Sequence, residues 1–200
     1  MIIKNKAQLA LLFWIVSFWV ITAISPLNRY DWLMENILFF VFFGILVATY
    51  RIFQFSFFSY FLITIFFTLH LIGAHYTYSE VPFGFSLSES FNFNRNHFDR
   101  IVHFLYGILL TYPVYELLVR HLNIRGFYSY FLPLNVIVAS SATFEIIETL
   151  FVLMVKPDLG EAYLGTQGDV WDAQKDMALA FAGSLLVIVL IWMMKRRKDD

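Results

Sequence analysis

Long apolar runs, broken by short polar stretches, organise this 200-residue chain. A bilayer core takes about 20 mostly apolar residues in a helix. Six stretches meet that length, roughly 7–24, 33–50, 52–72, 101–119, 127–153 and 170–194. Lipid offers the backbone no hydrogen-bond partners, so each run is expected to be helical. The runs lack the period-2 alternation of an outer-membrane strand. Pro113 and Pro133 fall inside the fourth and fifth runs, where a membrane helix tolerates a kink. The pattern therefore predicts an all-α, polytopic membrane helix bundle of about six transmembrane helices, forming one domain over 1–200.

Lys4 and Lys6 precede the first run, which is longer than the roughly 7–15 residues of a signal-peptide core and has no small-x-small cleavage site. We read it as a retained span. Two connections are long. Residues 73–98 carry Gly, Pro, Ser and Asn with Phe at 83, 85, 91 and 93, fitting a surface loop, a small hairpin or an interfacial segment. Residues 154–168 have the turn chemistry of a loop.

Composition agrees with this pattern. Hydrophobic residues make up 60% of the chain, aromatic residues 20% and charged residues 14%, against about 25% charge in a soluble domain. There is no Cys, so disulfides, thiolate metal sites and cysteine nucleophiles are excluded. The formal net charge is −1, and nothing in the sequence resembles a nucleic-acid module. The phosphate-binding loop, the dinucleotide fingerprint, H-E-x-x-H and G-x-S-x-G are all absent.

Basic residues set orientation. With the N-terminus inside, Lys4, Lys6, Arg51, Arg120, Arg125, Lys195, Arg196, Arg197 and Lys198 fall at inner ends. Arg29, Arg95, Arg100, Lys156 and Lys175 fall at outer ends. Both termini are therefore expected to be cytoplasmic, with 73–98 and 154–168 outside.

Ionisable groups inside a bilayer cost about 2.5–3.5 kcal/mol each on insertion scales, so each one needs a reason. His70 and His75 end the third run, and Asp99 and His103 open the fourth. Glu145 and Glu148 lie late in the fifth, while Asp169, Asp172 and Asp176 open the sixth. All fall at the outer ends of their helices in this topology. Asp99 and His103 are four residues apart and share a helix face, as do Glu145 and Glu148 at a spacing of three. The three Asp residues draw one acidic stripe.

Imidazole and carboxylate together suit a divalent cation such as zinc, manganese or iron. So many carboxylates at one level need a cation or a proton to coexist, with Arg100 and Lys175 supplying part of the compensation. Asp99, His103, Asp172 and Asp176 are the first candidates for catalytic groups or ligands. His70, His75, Glu145, Glu148 and Asp169 complete the candidate metal pool. Asp169 taken alone is expected to serve as a helix cap. Glu116 is expected to pair with Arg120, and His97 and His121 to be structural. Two functions fit: a metal-assisted membrane enzyme acting on a lipid or envelope precursor, or a non-enzymatic cation- or proton-linked transporter or binder.

The strings HLIGAHYTYSEVP (70–82), NRNHFDRIVHFLYG (94–107), FEIIE (144–148) and GTQGDVWDAQKDM (165–177) resemble the YjdF-type family of bacterial inner-membrane proteins. The resemblance implies location and fold more than mechanism. A weaker similarity is to VanZ-like membrane proteins, which are linked to glycopeptide (teicoplanin) resistance. Asp99, His103 and Phe104 look like that family's first element, and Glu145 with Glu148 like its second. Asp169, Asp172, Asp176 and Gly183 look like its third. Glu148 and Asp176 stand where Gln and Asn are usual, and they add negative charge that favours a cation.

Overall fold

The structure is a computed structural model that describes residues 6–154 and 166–199, with side chains for 6–150 and 166–197. Among the described residues the chain is helical, without strands: α1 (Lys6–Thr22), α2 (Arg29–Thr49), α3 (Phe57–Tyr76), α4 (Pro82–Phe91), α5 (Phe98–Arg120), α6 (Tyr128–Met154) and α7 (Asp172–Asp199). Five of these helices, α2, α3, α5, α6 and α7, are long and apolar enough to cross a membrane. The remaining expected span, the first run at 7–24, corresponds to α1. Its 17 residues rise only about 25 Å, short of the roughly 30 Å hydrocarbon core. The helix stops at Thr22, and Ser25 beyond it takes a left-handed φ of 49° just before Pro26.

The spans also start and stop at different residues from those the hydropathy runs suggested. α2 begins at Arg29 because the Asn28 side chain accepts from the backbone N–H groups of Tyr30 and Asp31, capping the helix ahead of the apolar run. α3 starts at Phe57 behind the Ser56 cap and continues to Tyr76, so His75 is helical. Within 73–98 a hairpin is excluded, since α4 fills 82–91. Pro82 opens α4 and Asn92, at φ 52°, closes it. Ten residues reach about 15 Å, far too short to span. Phe83, Phe85 and Phe91 are exposed, as suits a helix lying at an interface. The expected loop 154–168 falls mostly outside the described residues.

α5 is the central element. It packs on α3, α6 and most extensively on α7, while α1 and α2 pack on α3. Small residues allow the tightest of these contacts, since lipid supplies no hydrophobic force to press helices together. A Cβ placed on Gly107 would sit 2.2 Å from the Ala180 carbonyl oxygen, and one on Gly183 would sit 2.3 Å from that of Phe104. Both contacts are with backbone, so no side chain can yield. Beside them the Thr111 hydroxyl donates to Ser184 Oγ at 2.7 Å. Gly107→Leu is expected to separate α5 from α7. It should cost about 1–3 kcal/mol or more, as overpacking does, read as a lower thermal midpoint of the detergent-solubilised protein.

At the other end of α5, the expected Glu116–Arg120 pair is present. Glu116 also accepts from the Ser56 backbone N–H at 2.8 Å, the Ser56 hydroxyl at 2.9 Å and the Ser59 hydroxyl. It therefore ties the start of α3 to the end of α5.

Candidate functional site

The helices alternate in direction, so the start of α2, the end of α3, the start of α5, the end of α6 and the start of α7 meet at one end of the bundle. Cross-helix contacts fix this level. His70 on α3 reaches the Glu35 carbonyl on α2 at 3.2 Å, and His75 reaches the Thr22 carbonyl on α1 at 2.9 Å. Asp99 and His103 on α5 face Asp176 on α7, and His103 faces Glu145 on α6.

The tightest group is Asp99, His103 and Asp176. One ligand atom from each lies within 4.8 Å of the others, a separation that a single cation can bridge. His103 Nε2 is 3.5 Å from Asp99 Oδ1 and 3.6 Å from Glu145 Oε1. Asp176 is 2% exposed and His103 and Glu145 8% each, so the group is shielded from water. Glu145 Oε1 and Asp176 Oδ1 are buried without a hydrogen-bond partner among the described residues. A buried carboxylate oxygen with no donor is costly, and a cation would supply what is missing.

Asp172 and Asp169 sit on the same acidic stripe but are engaged otherwise. Arg95 grips Asp172 through two donors, at 2.5 Å and 3.2 Å, and Arg100 adds a third at 3.0 Å. Asp169 pairs with Arg100 and, at 2.5 Å, with Lys175. Its Oδ1 also accepts from the Trp171 backbone N–H at 3.1 Å, closing the turn that leads into α7. The Lys175 ammonium, that N–H and Arg100 hold its carboxyl well below the usual carboxylate range. Its charge is therefore in place at neutral pH, and the ion pairs give way only in strong acid.

The segment before α5, which carries Arg95, is anchored in turn through its neighbour Asn96. The buried Asn96 donates its backbone N–H to Gln167 Oε1 at 2.8 Å, and Gln167 Nε2 donates back to the Asn96 carbonyl at 3.0 Å. The Asn96 amide also donates to the Val81 carbonyl at 2.9 Å and fills the space above Gly84, where a Cβ would lie 1.7 Å from its Oδ1. His97, next along the chain, has its pKa lowered by burial and by Arg100 and Arg95, and its ring meets Phe93 edge-on.

The remaining candidates fall outside the three-residue group. Both ring nitrogens of His70 are in use. The Glu35 carbonyl can only accept, so Nε2 carries the proton and the Tyr78 hydroxyl donates to Nδ1 at 2.6 Å. His75 stands at the α1–α3 contact. Glu148, on the same face of α6 as Glu145, lies close enough to Glu145, Glu35, Asp99 and Asp176 for their charges to interact.

Glu35 is the principal addition that the sequence reading did not single out. It is 4% exposed on α2, its Oε2 has no hydrogen-bond partner among the described residues, and Asp31 lies one turn before it. The signal was present, an acid two residues inside an apolar run, but the long hydropathy average around it hides it. Arg95, Asn96 and Gln167 carry no sequence signal of their own, since their role comes from contacts about 70 residues away in the chain.

Of the three-residue group, His103 also lines a cavity of about 400 Å³. Its upper wall holds His70, Tyr78, His103, Tyr106, Ser140 and Ser141. Its lower wall is apolar, with Phe42, Ile45, Leu110, Val114, Leu117 and Val136. Tyr106 and Ser140 share a short hydrogen bond across it.

These features define a multi-pass helical membrane protein whose polar groups gather at one end of the bundle above an apolar cavity. Residues 7–197 match the family described as "Predicted membrane protein (DUF2238)", and the chain belongs to that family. It is 34% identical over 173 residues to "Inner membrane protein YjdF" of Escherichia coli K12, covering 86% of this chain and 82% of that protein. No solved structure matches it. The family, this relative and the spanning helices make it a multi-pass protein of the bacterial inner membrane.

Proposed function

We propose that the chain is a metal-assisted membrane enzyme, a hydrolase or transferase, acting on a lipid or envelope precursor at the periplasmic surface. One observation carries this reading. Asp99, His103 and Asp176 present three ligand atoms within 4.8 Å of one another, and His103 also lines an apolar cavity. Three protein ligands leave a coordination position open, which is the pattern of catalytic rather than structural zinc. A cation there would polarise a phosphoryl or acyl oxygen and activate a water. Glu145, 3.6 Å from His103, stands close enough to accept the proton that this water releases. The basic-residue distribution supports an outward-facing position for this end of the bundle.

A second reading, a cation- or proton-linked transporter or binder, draws on the run of acids from Glu35 through Glu148 and Glu145 to Asp99 and Asp176. The apolar lower wall of the cavity weighs against an onward path for an ion.

The experiment is metal analysis of the purified protein, followed by incubation with a panel of phosphorylated and acylated membrane lipids. The expected result is close to one divalent cation per chain and a lipid product that a chelator abolishes. Wild-type protein free of metal, together with His103→Ala that processes the same lipids at the wild-type rate, overturns the reading. Metal-dependent ion flux in vesicles without any lipid product selects the transporter.

A further inference from the structure

We propose that the cavity is a slot for one acyl chain of an ester-linked membrane lipid, admitted sideways from the bilayer between α2 and α6. The proposal rests on the reading above and names the substrate class of the same site.

Three observations lead to it. The first is the shape of the wall. Val102, Tyr106, Leu110, Val114 and Leu117 line the cavity from one face of α5. From Val102 to Leu117 a helix rises about 22 Å at ~1.5 Å per residue, which is most of the depth of a hydrocarbon core of about 30 Å. The space is long, and at about 400 Å³ it lies near the small end of ligand pockets, so it is narrow as well.

The second is the way out. α2 packs on α3, whereas α6 packs on α5 and α7, and no comparable packing joins α2 to α6. Phe42 and Ile45 of α2 and Val136 and Ile147 of α6 line the cavity, yet they are 44%, 52%, 43% and 48% exposed. Side chains that border the interior and face outward at once mark an open side. That side is continuous with the lipid-facing surface, where neighbouring Val41 and Ile146 are exposed as well. The chain can enter without leaving hydrocarbon.

The third is the order of chemistry along the slot. His103 stands at the top, with Asp99, Asp176 and Glu145 next to it outside the lining, then Tyr106, Ser140 and Ser141, then only apolar side chains. The Ser141 hydroxyl is buried and has no hydrogen-bond partner among the described residues. A polar head, an ester carbonyl and a hydrocarbon tail follow the same order. A lipid ester oxygen at this depth accepts the bond that Ser141 otherwise lacks.

The test uses the full-length protein in vesicles of phosphatidylethanolamine and phosphatidylglycerol, doped with a phospholipid carrying a diazirine in its acyl chain. After irradiation, adducts are mapped by mass spectrometry. Expected are adducts at Leu110, Val114 and Leu117 as well as at outward-facing Val41. Leu110→Trp, which plugs the slot, should lower the adducts at Val114 and Leu117 at least tenfold and leave Val41 unchanged. Val114→Phe serves if the first variant does not fold. Labelling of Val41 with none on the α5 face overturns the proposal, as does labelling of that face by a diazirine polyprenyl phosphate in preference to the acyl probe. Metal content measured on the same samples separates the two readings. A labelled slot in metal-free protein defeats the enzyme and keeps the slot, and metal beside an unlabelled slot does the reverse.

Discussion

Arg95→Met is expected to lower the stability of the folded protein by about 3–5 kcal/mol, the range for removing one partner of a buried ion pair. The side chains of Arg95 and Asp172 are 10% and 5% exposed, and the pair is bidentate. Without the guanidinium, Asp172 keeps Arg100 as its ion-pair partner among the described residues, and the Thr166 carbonyl loses its 3.2 Å bond to Arg95. The charge left behind is desolvated, which is why the loss exceeds that of an exposed pair. The measurement is the thermal or denaturant midpoint in detergent. Arg95→Met combined with Asp172→Asn should regain most of the loss, because the buried charge goes with its partner. A single variant as stable as wild type would show that the clamp adds nothing to the fold.

The second large effect separates two acids that look alike in the sequence. Asp176→Ala should weaken cation binding by about a hundredfold or more, since changes even in residues that only support ligands cost about 10–100-fold. Its fold should hold, because removing Asp176 removes a buried carboxylate with an unpartnered oxygen. Asp172→Ala should do the opposite, keeping the cation and losing stability, because it removes the bidentate partner of Arg95 and one of the two carboxylates that hold Arg100. Titration of a divalent cation followed calorimetrically, beside a melting curve for each variant, reads both quantities. Equal cation affinity in wild type and Asp176→Ala would remove Asp176 from the site.

This division was not legible in the stripe itself. Asp169, Asp172 and Asp176 are spaced three and four apart, so they share a helix face. Periodicity reports the face and says nothing of what stands opposite. α5 decides that. Its approach brings Arg95 and Arg100 against the first turn of α7 and Asp99 with His103 against the second. The approach depends on Gly107 and Gly183, whose hydrogens let the two backbones close up.

The histidines divide in a similar way. All of them fall at helix ends in the sequence, and the expected common level is where the structure has His70, His75 and His103. Only His103 keeps its imidazole toward the acids, because Tyr78 and the Glu35 carbonyl take both nitrogens of His70 and the Thr22 carbonyl takes Nδ1 of His75. Two of those three partners are backbone carbonyls on other helices, which no side-chain motif encodes.

Amino-acid order alone determined that this protein is helical, that its helices cross a membrane, and that its costly groups lie at matching ends of them. Those properties follow from the solvent, because hydrocarbon forces every long apolar run to satisfy its own backbone. Tertiary packing decided which polar groups meet, which are neutralised by arginine and which are left without a partner. It also decided that α2 stands away from α6 and leaves a cavity open between them. Pairing and openness depend on distances between segments far apart in the chain, and hydropathy carries no such distances.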